Sequence, residues 1–207
     1  FEHIDERISK VIWHAIKKLE SLGATYKEVS LPHSKYAIPS YYIIAVSEAS
    51  TNLAKYSGIR YGLHKEMKGN FNEYFSSVRT EGFGEEAKRR IMLGTFARMA
   101  GYRDAYYLKA LQVRTKIIQD FKKVFKKFDV LAAPTMPIVA PKFDDIEKLS
   151  PLQNYMTDIL TVAPNLAGIP MISVPVGKVN NLPVGLHLMG DHLQEVKILQ
   201  FAYAFEN

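Results

Sequence analysis

The 207 residues are 47% hydrophobic and 23% charged, which suits one large domain or two small ones with a real core and argues against disorder. There is no cysteine, which removes disulfides, thiolate metal sites and a cysteine nucleophile together and fits a reducing cytoplasm. The net charge of +6 would suit a phosphate-bearing partner, but Lys116, Lys122, Lys123, Lys126 and Lys127 supply much of the excess along one predicted helix, where a solvated face accounts for them. No apolar run approaches the length a membrane helix requires, and no charged-then-apolar leader opens the sequence, so no membrane partner is expected.

Asp5 to Leu22 is predicted to be an amphipathic helix, with Ile8, Val11, Ile12, Ala15, Ile16, Leu19 and Leu22 at three- and four-residue spacing and Gly23 as its stop. Ala24 to Val29 then alternates as a short strand, closed by Leu31-Pro32. A second helix is predicted over Tyr41–Tyr56, a short one around Glu73–Phe75, a third over Glu85–Met99 and the longest over Arg103–Phe128. Asp129–Ala133 reads as a short apolar strand, covered on both faces, and 141–150 as an acidic loop. Pro151–Leu160 is predicted helical, with Pro164 limiting its end. Met171–Val176 and Val184–Met189 form a predicted hairpin about Asn180-Asn181, and Asp191 is predicted to cap a last helix over His192–Phe205. This order defines an α/β protein whose mixed β-sheet is sandwiched by helices. A helix–strand pair with no strand before it looks like the middle of a domain.

Gly82 to Thr95 is a glycine-bounded turn opening a helix that carries Arg89 and Arg90. Successive helical residues point about 100° apart, so one arginine can face solvent while its neighbour points inward. An inward guanidinium requires an anion, either an internal carboxylate or the carboxylate of a ligand. Asp158 lies in a predicted helix with Tyr155 one turn back and an apolar run after it, so its carboxylate is either paired internally or aimed at a ligand ammonium. Gly82-x-Gly84-x-x-Ala87 matches a dinucleotide fingerprint as text but lacks the buried strand that must precede it. The six histidines, His3, His14, His33, His64, His187 and His192, have no ligand spacing, so no metal site is expected. No nucleophile elbow, Walker loop or paired-histidine zinc motif is present.

Several blocks carry a resemblance to a known family. They include Tyr41-Tyr-Ile-Ile44 with Ser47-Glu-Ala-Ser50, Gly58-Ile-Arg-Tyr-Gly62, Arg79 through Gly84, and Lys88-Arg-Arg-Ile-Met-Leu-Gly-Thr95. Asp104-Ala-Tyr-Tyr107, Ala133-Pro-Thr135, Asn165-Leu-Ala-Gly168, Ile172-Ser-Val-Pro175 and Pro183-Val-Gly-Leu186 follow in order. In this order and spacing the chain resembles the amidase signature family and, within it, the branch of tRNA-dependent amidotransferase A subunits. Ser57 stands where that branch usually has an aspartate.

The resemblance implies that residues 1–207 are the carboxy-terminal part of a single amidase signature domain. The family's nucleophilic serine, its second serine with a cis peptide and its lysine base would then lie upstream of Phe1. It further implies a glutaminase half-reaction whose ammonia converts Glu-tRNA(Gln) or Asp-tRNA(Asn) to Gln-tRNA or Asn-tRNA. Subunits B and C would be partners, with ATP and Mg used by the partner subunit and no cofactor bound by this chain. Carried over by motif, Arg90 would hold the α-carboxylate of glutamine, Asp158 its α-ammonium, and Tyr41 would line the pocket. The alternatives are a stand-alone amidase of the same family acting on a small amide, and a non-catalytic fragment that binds partner subunits.

Overall fold

The computed structural model describes the backbone of residues 4–207 and their side chains other than those of 151 and 152. It divides into two compact units, residues 39–112 and the remainder, with the boundaries falling inside two helices.

In the unit formed by both ends of the chain, α1 (Glu6–Ser21) begins where the Asp5 carboxylate accepts the Arg7 backbone N–H at 2.9 Å. The Arg7 guanidinium folds back on the same carboxylate at 2.6 Å, and that pairing pulls the Asp5 pKa down to about 2. Gly23, at φ +99°, ends the helix in a conformation that side chains rarely adopt. The predicted strand over Ala24–Val29 does not form. The segment carries no ladder, because a strand requires a partner for its backbone and no described strand pairs with it.

Three strands form one sheet in the order β1 (Val130–Pro134), β3 (Leu182–Gly190), β2 (Met171–Val179), with both pairings antiparallel. Asn180 and Asn181 both take positive φ in the two-residue turn between β2 and β3, the conformation a tight hairpin of right-handed twist demands. Leu186 and Leu188 on β3 are fully buried with Val174 of β2 against Ile8, Ile12 and Ala15 of α1. Ala202 and Phe205 of α9 (Glu195–Glu206) complete this core on one sheet face. The predicted cap at Asp191 is not a helix cap. Its carboxylate accepts the His192 N–H at 2.8 Å, and α9 starts only after Leu193 has turned through φ +61°. Between β1 and β2 lie α6 (Phe143–Ile146), α7 (Pro151–Met156) and α8 (Ile159–Ala167). Pro164 sits inside α8 instead of ending the preceding helix, and the break falls earlier, at Thr157 and Asp158.

In the unit of residues 39–112, α2 (Ala37–Asn52) runs in from the other unit and is followed by α3 (Phe71–Gly82) and α4 (Glu85–Ala97). Helix α3 extends the short predicted helix because Asn70 and Glu73 form a reciprocal capping box that fixes its start. Tyr74 donates from its hydroxyl to the Gly58 carbonyl at 2.8 Å, which ties the long 56–70 loop down, and Arg79 donates to the Leu53 carbonyl at 3.1 Å just before that loop. Gly94 places α4 so close to α2 that an added Cβ would stand 1.8 Å from the Val46 carbonyl oxygen. A π-helical turn over Asp104–Leu108 precedes α5 (Lys109–Phe125), so the predicted single helix from Arg103 to Phe128 is two elements. Lys116, Lys122, Lys123, Lys126 and Lys127 are all exposed, as a solvated face requires.

Candidate functional site

Helix α4 opens after Gly84 with Glu85 and Glu86 in its first turn, where carboxylates face the positive end of the helix dipole. Glu86 lies three residues before Arg89 and four before Arg90, the two spacings that bring helical side chains together. Arg90 Nε donates to Glu86 Oε1 at 2.8 Å, while Arg89 Nη2 pairs with Glu86 Oε2. The Arg90 bond, then the Arg89 bond, hold the Glu86 carboxyl below the usual carboxylate range, against the opposing effect of its partial burial. Arg90 is half-buried and Arg89 exposed.

The Arg90 guanidinium also lies over the Tyr42 ring, 5.9 Å from its centroid, within cation–π range. Tyr42 in turn meets Tyr41 edge-on, with centroids 5.2 Å apart and planes at 88°. Two of the three residues singled out in the sequence, Tyr41 and Arg90, therefore belong to one constellation in the 39–112 unit, linked through Tyr42. Sequence reasoning missed Glu86 and Tyr42. The first was visible as a Glu-x-x-x-Arg helical spacing, and the second only as the neighbour of Tyr41.

Asp158 belongs to the other unit. It is not inside a helix as predicted but occupies the N-cap position of α8, in the break after α7. Its backbone N–H donates to the Tyr155 carbonyl, and its own carbonyl accepts from the Thr161 N–H at 2.9 Å and hydroxyl at 3.0 Å. Its carboxylate makes no cap bond to the helix it precedes. In the same unit, Asn154 and Thr157 line a cavity of about 620 Å³ with Thr135 and Ser173, whose hydroxyls share a 2.6 Å hydrogen bond above Gly185. A second cavity of about 510 Å³, between 24–29 and β1, has mainly apolar walls that include Trp13, Leu131 and Leu188.

Among the described residues no group of three His, Asp or Glu side chains gathers to hold a metal ion, and no helix is long and apolar enough to cross a membrane. His3 lies outside the described residues. His187 is buried on β3 with Nε2 3.2 Å from the Met171 sulfur and, among the described residues, no hydrogen-bond partner at Nδ1; burial pushes its pKa down.

The amidase family profile matches residues 1–199, and the chain belongs to that family. Its curated relatives are more particular. The chain is 55% identical over 206 residues to the A subunit of the glutamyl-tRNA(Gln) amidotransferase of Geobacillus sp. (strain WCH70), covering 99% of this chain and 42% of that protein. Against the corresponding protein of Streptococcus sanguinis (strain SK36) it is 54% identical over 205 residues, again covering 99% of this chain and 42% of the relative. The crystal structure of the glutamyl-tRNA(Gln) amidotransferase A subunit from Thermotoga maritima matches with a TM-score of 0.73 and 39% identity, over 99% of this chain and 39% of that one. A solved amidase at 20% identity gives the same TM-score and shares the fold. The chain spans about two-fifths of the length of the relatives it matches.

Proposed function

We propose that this chain is the carboxy-terminal, substrate-reading part of a glutamine-hydrolysing amidotransferase A subunit, a single amidase signature domain of which residues 1–207 are one portion. The identity of 55% along nearly the whole chain carries the reading. Fold alone does not separate an amidotransferase component from a general amidase, since both match at a TM-score of 0.73. The higher identity, 39% against 20%, supports the amidotransferase reading.

Free glutamine is a zwitterion, so a pocket that selects it over a plain amide needs one fixed cation and one fixed anion. Arg90 supplies the cation for the α-carboxylate and Asp158 the anion for the α-ammonium, while Tyr41 lines the pocket. Charge-assisted bonds of about 1.5–3 kcal/mol each are enough to make that selection. The serine nucleophile, its serine partner with a cis peptide and the lysine base belong to the part of the protein outside this sequence. The ammonia released there amidates Glu-tRNA(Gln) or Asp-tRNA(Asn) in a cytoplasmic complex with subunits B and C, the heterotrimer in which the partner subunit uses ATP and Mg.

The 207 residues by themselves are expected to turn over no glutamine, because binding groups without a nucleophile leave only weak residual catalysis. Assaying the purified chain beside the full-length protein checks this. Glutamine turnover by the 207-residue chain alone would overturn the reading.

A further inference from the structure

We propose that Glu86 is a positioning residue: by holding the Nε edge of Arg90, it fixes the plane of the guanidinium over Tyr42 in the orientation that receives a ligand carboxylate. The proposal rests on the reading of Arg90 as the carboxylate-binding group, and it adds a residue and a geometry which that reading does not contain.

A guanidinium is a planar fork with five N–H donors, and its use in recognising a carboxylate depends on presenting two parallel donors at a defined angle. The long arginine side chain leaves that plane free to rotate unless something holds it. Glu86 and Tyr42 are both placed to do so. Glu86 Oε1 accepts the Nε–H at 2.8 Å from four residues earlier on the same helix, and the guanidinium carbon lies over the Tyr42 ring, 5.9 Å from its centroid. The hydrogen bond sets the direction of the Nε edge, and the ring limits how far the rest of the group can swing. Tyr42 is itself buttressed by Tyr41, edge-on at 5.2 Å, so the platform is continuous with the residue assigned to the pocket wall.

Stability does not explain the arrangement. Both partners are substantially solvated, with the Glu86 side chain 43% exposed and that of Arg90 34%, and such pairs contribute little to folding. Simple attraction does not explain it either, because a carboxylate beside the binding cation repels an incoming carboxylate. Arg89, paired with the second Glu86 oxygen, offsets that repulsion: two cations around one anion leave the trio with one net positive charge. Arg89 thus offsets the negative charge that Glu86 brings to Arg90.

Charge and geometry make opposite predictions, which steady-state glutamine kinetics on the full-length protein separate. If Glu86 positions Arg90, Glu86→Ala raises the KM for glutamine about tenfold, and Glu86→Asp, which keeps the charge but shortens the reach, raises it as well. Glu86→Gln stays within about twofold of the parent, because its carboxamide oxygen still accepts the Nε–H. The double variant Glu86→Ala/Arg90→Ala is then no worse than Arg90→Ala alone, since one residue acts through the other. A KM that is unchanged or lowered in Glu86→Ala, equal damage in Glu86→Gln and Glu86→Ala, or additive losses in the double variant would overturn the proposal while leaving Arg90 in place. An Arg90→Ala protein with an unaltered KM for glutamine would remove the reading of Arg90 itself, and the role of Glu86 with it.

Discussion

Arg89 and Arg90 leave α4 about 100° apart, yet both guanidiniums return to Glu86, one through each carboxylate oxygen. What distinguishes them is the environment on the far side: Arg90 is the more sheltered and lies over the Tyr42 ring, while Arg89 is exposed. Arg90→Lys is therefore expected to raise the KM for glutamine sharply in the full-length protein, because an ammonium cannot hold Glu86 and present a two-pronged contact together. Arg89→Lys is expected to stay within about 0.5 kcal/mol, the usual range for surface changes. Glutamine kinetics on both variants check this, and the reverse pattern would mean that Arg89 is the ligand-binding arginine. The sequence alone could say that the neighbours differ, from helical geometry, but not which is sheltered, because that depends on where α2 places Tyr42. His187 gives a second prediction at this scale. Its folded-state pKa is lowered by burial from the ordinary 6.5, so folding is at full strength above that value and weakens as pH falls below it and the unfolded chain takes up a proton. His187→Gln is expected to flatten this part of the melting-temperature profile between about pH 7.5 and 5.5, and an unchanged profile would exclude His187 as its source.

Helix α4 meets α2 through Gly94, where an added Cβ would stand 1.8 Å from backbone oxygen. Gly94→Ala would gain up to about 1 kcal/mol of helix propensity, but the overpacking should outweigh this and leave a net loss of about 1–3 kcal/mol. Thermal or denaturant unfolding of the variant decides the sign, and a stabilised protein would show that the two helices are not in close contact. Elements whose signals are local were legible in the sequence. The apolar spacing of α1 predicted its extent to within a residue at each end, and Asn180-Asn181 announced the β2–β3 hairpin. Elements that depend on partners were not. The alternation in 24–29 describes a strand-like segment, but a ladder needs a neighbouring strand, and no described strand pairs with it. Pro164 reads as a helix stop, yet it is carried inside α8, and the helix breaks at Asp158 instead. That break takes the carboxylate out of a regular helical face, which periodicity had no means of showing.

At the scale of the whole molecule, the order of many weak blocks was more informative than any single motif, and it led to the family that residues 1–199 match. Individual site geometry was less accessible, because Tyr41 and Arg90 belong to the 39–112 unit and Asp158 to the other, far apart in the sequence. The proposed roles of Arg90 and Asp158 make them a pair that selects glutamine as a zwitterion. The most direct test is tRNA amidation by the assembled full-length enzyme carrying Arg90→Ala or Asp158→Ala, measured with glutamine and then with ammonia as the nitrogen donor. Each substitution is expected to cost about 2 kcal/mol or more of transition-state stabilisation with glutamine, because one member of a charge-assisted pair is gone. The ammonia-dependent reaction, which bypasses the glutamine pocket, should be nearly unchanged. Equal damage to both reactions would make the two residues structural instead of substrate-reading.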